Sequence, residues 1–108
     1  TDDIRDSIAI ELIKKLLRKN CKIMVHDPRA INNTKKIFGT KISYAKTIKD
    51  ALSKSHCTII MTQWKQYERL SNSDFSKMRK KIVIDCRRML VRKQLDVDYF
   101  AIGLGTEK

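Results

Sequence analysis

Short apolar runs that alternate with helical patterns constrain the fold of this chain more than any other feature of its sequence. Four runs, bounded by polar or turn residues, contain β-branched or aromatic residues: 22–25, 58–61, 82–84 and 99–102. Continuous runs of this kind are typical of strands that are buried on both faces, as in parallel sheets. Residues 41–44 form a weaker extended segment, which is a candidate for a fifth strand.

The segments between these runs have helical periodicity. The first carries an apolar stripe with charged residues on the opposite face, as an amphipathic helix requires. The stripe consists of Ala9, Leu12, Ile13, Leu16 and Leu17. Asp6 or Ser7 is predicted to cap the start of this helix, and Asn20 to end it. Shorter helices are predicted over 31–38, 47–52 and 74–78, and 89–94 is a weaker candidate for a further one. Gly39 is expected to close the first of these.

The alternation of helices and strands predicts the fold class. We expect an α/β fold: a doubly wound, mostly parallel, Rossmann-like sheet of four to five strands flanked by helices. A length of 108 residues accommodates one core, so residues 1–108 are predicted to form a single domain. Doubly wound domains usually start on a strand that becomes central, whereas this sequence starts on a helix. We therefore expect the first strand to be missing, and the chain to be a fragment of a larger enzyme.

The net charge of +12 favours polyanionic partners, among them nucleic acid and phosphorylated small molecules. The lysines are dispersed, and the few aromatic residues show no RNA-binding pattern. A basic nucleic-acid-binding α/β module is therefore kept as the alternative hypothesis. No apolar run approaches the roughly 20 residues that cross a bilayer. The acidic first residues are not a secretory signal, so we predict a cytoplasmic protein without membrane contact.

The sequence contains no complete signature of a metal, redox or phosphate-loop site. The three cysteines are far apart, and Cys21 and Cys57 are expected to be buried as small apolar side chains. Neither G-x-G-x-x-G nor G-x-x-x-x-G-K-[ST] occurs. Without such a loop, Asp27 is predicted to form a turn, and His26 and His56 to have structural roles.

Two arginines are candidates for binding an anion. Arg5 lies at the start of the first helix, where a guanidinium can bind phosphate beside the positive helix end. Because Asp2, Asp3 and Asp6 surround it, a local ion pair is equally possible. Arg87 follows a predicted strand, and open α/β sheets bind ligands beyond the carboxyl ends of their strands.

Five segments carry a resemblance to a known family. They read TDDIRDS over 1–7, DPRA over 27–30, TQW over 62–64, VIDCR over 83–87 and YFAIG over 99–103. In this order they resemble T-D-D-x-R-x-S, D-P-x-A, T-E-W, V-I-D-G-R and Y-x-x-I-G. These motifs belong to the C-terminal UDP-binding domain of the UDP-glucose/GDP-mannose dehydrogenase family.

The resemblance implies a domain that closes over a UDP-sugar held by an NAD-binding N-terminal domain and a central helical domain, both missing here. Such enzymes oxidise the sugar C6 alcohol to a carboxylate in two NAD-linked steps, through a cysteine thioester. By the match, Arg5 would reach NAD and Arg87 the UDP-sugar. The resemblance further implies a homo-oligomer in the full enzyme. No catalytic or metal-binding residue is predicted here, so the isolated chain is expected to be inactive.

Several positions depart from the family pattern. The lysine of the family's F-K pair would lie upstream of residue 1, and none of the three cysteines matches the catalytic one. Cys86 stands where the family usually has Gly, and it adds a side chain where the backbone would approach a ligand. Gln63 replaces the usual Glu, and Ile8 the usual Pro.

Overall fold

The structure is a computed structural model that describes residues 2–103, and the side chains of residues 8–103. These residues divide into two compact units, the first ending at Ala51 and the second beginning at Leu52. The prediction of a single domain over 1–108 is left open by this division. In the described residues, no helix combines the length and the apolar character that a membrane crossing needs.

The first unit contains two strands that pair in parallel. Its elements are α1 (Asp2–Arg18), β1 (Met24–Val25), α2 (Ile31–Phe38), a 3₁₀ turn (Gly39–Lys41) and β2 (Ser43–Tyr44), and α3 (Ile48–Leu52) runs into the second unit. In the sheet, Met24 lies opposite Ser43. Ile13 of α1 packs with Phe38 and Ile42 in an apolar cluster, which confirms that the α1 stripe faces a core.

The second unit is a three-stranded parallel sheet with β4 in the centre. Its elements are β3 (Cys57–Ile60), α4 (Lys65–Glu68), α5 (Asn72–Phe75), β4 (Ile82–Asp85) and β5 (Asp98–Ala101). Val83 and Asp85, two residues apart on β4, are both fully buried. Successive side chains point to opposite faces of a strand, so these two lie on the same face. Phe75 and Leu90 are also fully buried.

The predicted α/β class and its parallel strands are confirmed. All five predicted strands form, and in the described residues they hydrogen-bond as two sheets, β1-β2 and β3-β4-β5. The three ladders described are parallel, so paired strands are joined by crossovers rather than hairpins. The upstream first strand stays a prediction.

The ends of α1 test the predicted caps. The helix begins at Asp2, so Asp6 and Ser7 lie inside it and the prediction that one of them caps it was wrong. Asn20 ends the helix as predicted, with a positive φ of 63°. The N–H of Asn20 donates to Leu17 O at 3.0 Å and that of Cys21 to Leu16 O at 3.1 Å. This pair of bonds is a Schellman motif, which satisfies the last carbonyls of the helix.

Two further predictions were wrong and one helix was not predicted. Residues 89–94 form turns and bends instead of a helix, because a hydrogen bond from Leu90 N–H to Asp85 holds this segment against the end of β4. Cys21 and Cys57 are exposed rather than buried. Cys21 follows the helix-ending turn at Asn20, and Cys57 is the first residue of β3. The short α4 was not predicted.

Candidate ligand site at the carboxyl ends of β3 and β4

The carboxyl ends of β3 and β4 meet at one edge of the three-stranded sheet. The two strands are parallel neighbours, and their last residues, Ile60 and Asp85, lie opposite each other. Beyond the ladder, the N–H of Cys86 donates to Ile60 O at 2.9 Å. The segments that follow the strands, 61–64 and 86–90, therefore leave the sheet side by side. In an open α/β sheet this edge is where ligands bind.

Asp85 organises the segment after β4. It is 0% exposed, and its carboxylate accepts three hydrogen bonds. The N–H of Arg87 donates to Oδ1 at 3.1 Å, the N–H of Leu90 to Oδ2 at 2.8 Å, and the Tyr99 hydroxyl to Oδ2 at 2.6 Å. A buried charged group is stable only when hydrogen bonds replace its hydration. Asp85 is therefore the anchor of residues 86–90.

Tyr99, on the neighbouring strand β5, supplies one of the three hydrogen bonds to Asp85. Val83 of β4 pairs with Tyr99 of β5, and the Tyr99 hydroxyl reaches Asp85, two residues further along β4. Burial raises the pKa of the Tyr99 hydroxyl well above its usual range, and the hydrogen bond to Asp85 and the charge of Asp85 add to the shift. The phenol is therefore protonated at neutral pH and acts as a permanent donor to Asp85.

The segment after β4 also contains a backbone conformation that is unusual for its residue. Arg88 has a φ of 53°, in the left-handed region that favours glycine. A non-glycine residue there costs about 1–3 kcal/mol and persists only where surrounding contacts impose it. The bonds that Asp85 accepts from Arg87 and Leu90, on either side of Arg88, are such contacts.

The Arg87 guanidinium reaches across to the segment that follows β3. Its Nη2 donates to Gln63 Oε1 at 3.0 Å, and Arg87 is half-buried while Gln63 is exposed. Among the described contacts, the partner of the Arg87 guanidinium is the neutral amide of Gln63. The positive charge of Arg87 is therefore available to an anion. A guanidinium presents five N–H donors, so the Gln63 contact leaves most of them for a ligand.

Cys86 turns its side chain away from solvent. The residue is 7% exposed. Burial raises the pKa of the Cys86 thiol, and Asp85 raises it further while Arg87 opposes the shift. The thiol is therefore protonated near neutral pH, and a buried neutral thiol is a poor nucleophile. The extra side chain at this position, where the family usually has glycine, is thus accommodated inside the fold.

Other residues named from the sequence include Arg5, Asp27 and His26. The side chain of Arg5 lies outside the described residues, although its backbone belongs to α1. Asp27 forms the predicted turn, because its Oδ1 accepts from the N–H groups of Arg29 and Ala30 at 2.8 and 2.9 Å. Burial lowers the pKa of His26, with Asp27 opposing the shift. In the part of the chain described, no group of three His, Cys, Asp or Glu residues could hold a metal.

Two features of the candidate site were not predicted from the sequence. Arg87 was identified, but its contact with Gln63 and the role of Asp85 were not. A signal for Asp85 existed: alternate residues of a strand point to the same face, so Asp85 lies on the same buried face of β4 as Val83. The Gln63 contact had a weaker signal: both residues follow predicted strands, and the carboxyl ends of parallel strands meet at one edge.

Comparisons with known proteins point to one family. The sequence model of the "UDP-glucose/GDP-mannose dehydrogenase family, UDP binding domain" matches residues 1–92. The UDP-glucose 6-dehydrogenase AglM of Haloferax volcanii is 38% identical over 99 residues, which are 92% of this chain and 22% of that protein. The UDP-glucose 6-dehydrogenase of Rickettsia bellii is 31% identical in an alignment 108 residues long. This alignment covers 95% of this chain and 25% of that protein. YwqF of Bacillus subtilis, also a UDP-glucose 6-dehydrogenase, is 26% identical in an alignment 109 residues long. This alignment covers 95% of this chain and 24% of that protein.

The chain thus spans about a quarter of the length of these curated relatives. The family match covers residues 1–92 and includes both strands that frame the candidate site, together with Gln63 and Arg87. The chain belongs to the UDP-glucose/GDP-mannose dehydrogenase family and corresponds to its UDP binding domain.

Proposed function

We propose that this chain is the UDP-binding part of an NAD-dependent UDP-sugar 6-dehydrogenase, which oxidises the C6 alcohol of a nucleotide sugar to the uronic acid. The observation that carries the proposal is the position of Arg87. Its guanidinium lies beyond the carboxyl end of β4 and is paired with a neutral side chain. The relatives are named as UDP-glucose 6-dehydrogenases, which supports the same reaction for the protein that contains this chain.

The chemistry of UDP matches what Arg87 offers. The diphosphate is a compact anion, and an arginine fork can bind two of its oxygens at once. The backbone beneath Arg87 is held by Asp85, so the guanidinium projects from a rigid base. In this proposal Arg87 binds and orients the nucleotide, and the chain contributes no catalytic residue. The isolated chain is accordingly proposed to be inactive.

NAD is the cofactor that the family implies, and the described residues do not form a site for it by themselves. A dinucleotide site uses a glycine-rich turn between a strand and a helix. Of the described glycines, Gly39 ends α2 and Gly103 follows β5, so neither lies in such a turn. We propose that another domain of the enzyme holds NAD, and that Arg5 reaches it from the start of α1.

The setting of the whole enzyme is also part of the proposal. The described cysteines are all free thiols, as expected for a protein of the reducing cytoplasm. We propose a cytoplasmic homo-oligomer in which this chain joins an NAD-binding domain and a central helical domain. The family resemblance supports this arrangement.

Replacing Arg87 with Ala in the full-length enzyme tests the assignment. Hydrogen bonds to charged groups contribute about 1.5–3 kcal/mol. We therefore expect the dissociation constant for UDP, measured by calorimetry, to rise roughly 10- to 150-fold. Arg92→Ala is the matched control, since Arg92 is an exposed arginine of the same unit. Unchanged UDP affinity in Arg87→Ala would remove Arg87 from the site.

Replacing Arg5 with Ala tests the cofactor contact. If Arg5 binds NAD, the KM for NAD should rise roughly tenfold or more, while the KM for the UDP-sugar changes little. Steady-state kinetics with each substrate varied in turn measure both constants. If Arg5 instead pairs with neighbouring carboxylates, the KM for NAD stays at the wild-type value and the assignment fails.

A further inference from the structure

We infer that Gln63 is a positioning residue for Arg87: its side-chain oxygen holds the guanidinium in the orientation that receives the diphosphate. This inference rests on the proposed function of Arg87 and deepens it. Gln63 is therefore assigned a role in nucleotide affinity although it follows a different strand from Arg87.

The geometry that supports this role begins in the sheet. Gln63 lies three residues beyond the end of β3, and Arg87 two residues beyond the end of β4. The opposite placement of Ile60 and Asp85, with the bond from Cys86 N–H to Ile60 O at 2.9 Å, ties the two segments together at their base. Above that base, Arg87 Nη2 donates to Gln63 Oε1 at 3.0 Å. The Arg87 side chain is thus held at both ends: Asp85 binds its backbone N–H, and Gln63 binds its guanidinium.

Fixing the guanidinium matters because a free arginine side chain is flexible. Its rotamer freedom is worth about 2 kcal/mol, and binding a ligand in one orientation loses part of it. A contact that already selects the orientation lowers this loss, which is the advantage of preorganisation. The contact needs only an acceptor oxygen at position 63. Either Gln or Glu supplies one, whereas Ala does not.

The test is a double-mutant cycle in the full-length protein, with calorimetric titration of UDP. Gln63→Ala is expected to raise the dissociation constant about threefold to tenfold. In the Arg87→Ala background the same change is expected to alter it less than about twofold, because Gln63 then has no guanidinium to hold. A side chain with only a general structural role would weaken binding equally in both backgrounds.

Two further variants sharpen the cycle. Gln63→Leu keeps the bulk of the side chain but removes the acceptor oxygen, so it is expected to raise the dissociation constant as much as Gln63→Ala does. Gln66→Ala is the matched control, because Gln66 is an exposed glutamine of the neighbouring α4 and is expected to leave UDP affinity unchanged. Gln63 is exposed, so its replacement should also leave the melting temperature unchanged.

The outcomes separate this inference from the proposed function. If Arg87→Ala leaves the UDP affinity unchanged, the proposed role of Arg87 fails. If Arg87→Ala weakens binding but Gln63→Ala does not, or does so equally in both backgrounds, the role of Gln63 is wrong while that of Arg87 stands. Wild-type affinity in Gln63→Leu would also overturn the role of the acceptor oxygen.

Discussion

Replacing Asp85 with Ala is expected to destabilise the second unit by at least about 3 kcal/mol, because bonds to a charged group contribute about 1.5–3 kcal/mol each. Asp85 is fully buried and accepts from the N–H groups of Arg87 and Leu90 and from the Tyr99 hydroxyl. Without the carboxylate these donors lose their partners in a site from which water is excluded. Hydrogen exchange of peptides covering 82–103 in the full-length protein measures the local free energy of opening.

The matched control for Asp85 is Asp98. It lies on the adjacent strand β5 and is exposed, so Asp98→Ala should change the free energy of opening by about 0.5 kcal/mol or less. Asp85→Ala should in addition weaken UDP binding, because the backbone of Arg87 loses its anchor. Equal protection of 86–90 in wild type and Asp85→Ala would show that the carboxylate does not hold this segment.

Replacing Phe75 with Ala is the second change with a large expected effect. Phe75 is 0% exposed at the end of α5, and truncating such a side chain removes buried apolar surface and leaves a cavity. Phe→Ala at core positions costs about 3–5 kcal/mol. We expect a loss of that size in the free energy of opening of the second unit, measured by hydrogen exchange as for Asp85.

Phe100 provides the control for Phe75. It is a phenylalanine of the same unit, on β5, and is 50% exposed. Phe100→Ala should cost about 1 kcal/mol or less, the range of strand propensity. Similar losses for the two variants would contradict the core position of Phe75. UDP affinity in Phe100→Ala is expected to match the wild type, since Phe100 takes no part in the hydrogen bonds described for Asp85, Gln63 and Arg87.

The positions of strands and helices followed closely from the sequence. The run Ile82–Asp85 is a strand because its β-branched side chains suit a doubly buried sheet, and α2 spans the predicted 31–38. Errors arose where one hydrogen bond overrides local preference, or where several neighbouring residues are equally suited to one role. The segment 89–94 has helical spacing, but the bond from Leu90 N–H to Asp85 holds it in a turn. The start of α1 was misplaced because several residues near it can act as caps.

The candidate site was only partly predictable. Arg87 could be identified because its type and its place after a strand are local properties of the sequence. Its partner was not identified, since Gln63 lies 24 positions earlier and its place after a predicted strand is only a weak signal for a contact. The role of Asp85 was hidden for the same reason: its donor Tyr99 is 14 positions away.

The sequence by itself determined the α/β class and the order of the strands along the chain, and it named Arg87 as the candidate for binding an anion. These properties depend on side-chain periodicity and residue type, which act over a few neighbouring positions. Only the tertiary structure decided how that arginine is held. The parallel pairing of β3, β4 and β5 brings Gln63 to Arg87 and Tyr99 to Asp85. Hydrogen bonds need distances near 3 Å, and residues far apart in the chain reach such distances only when the sheet has formed.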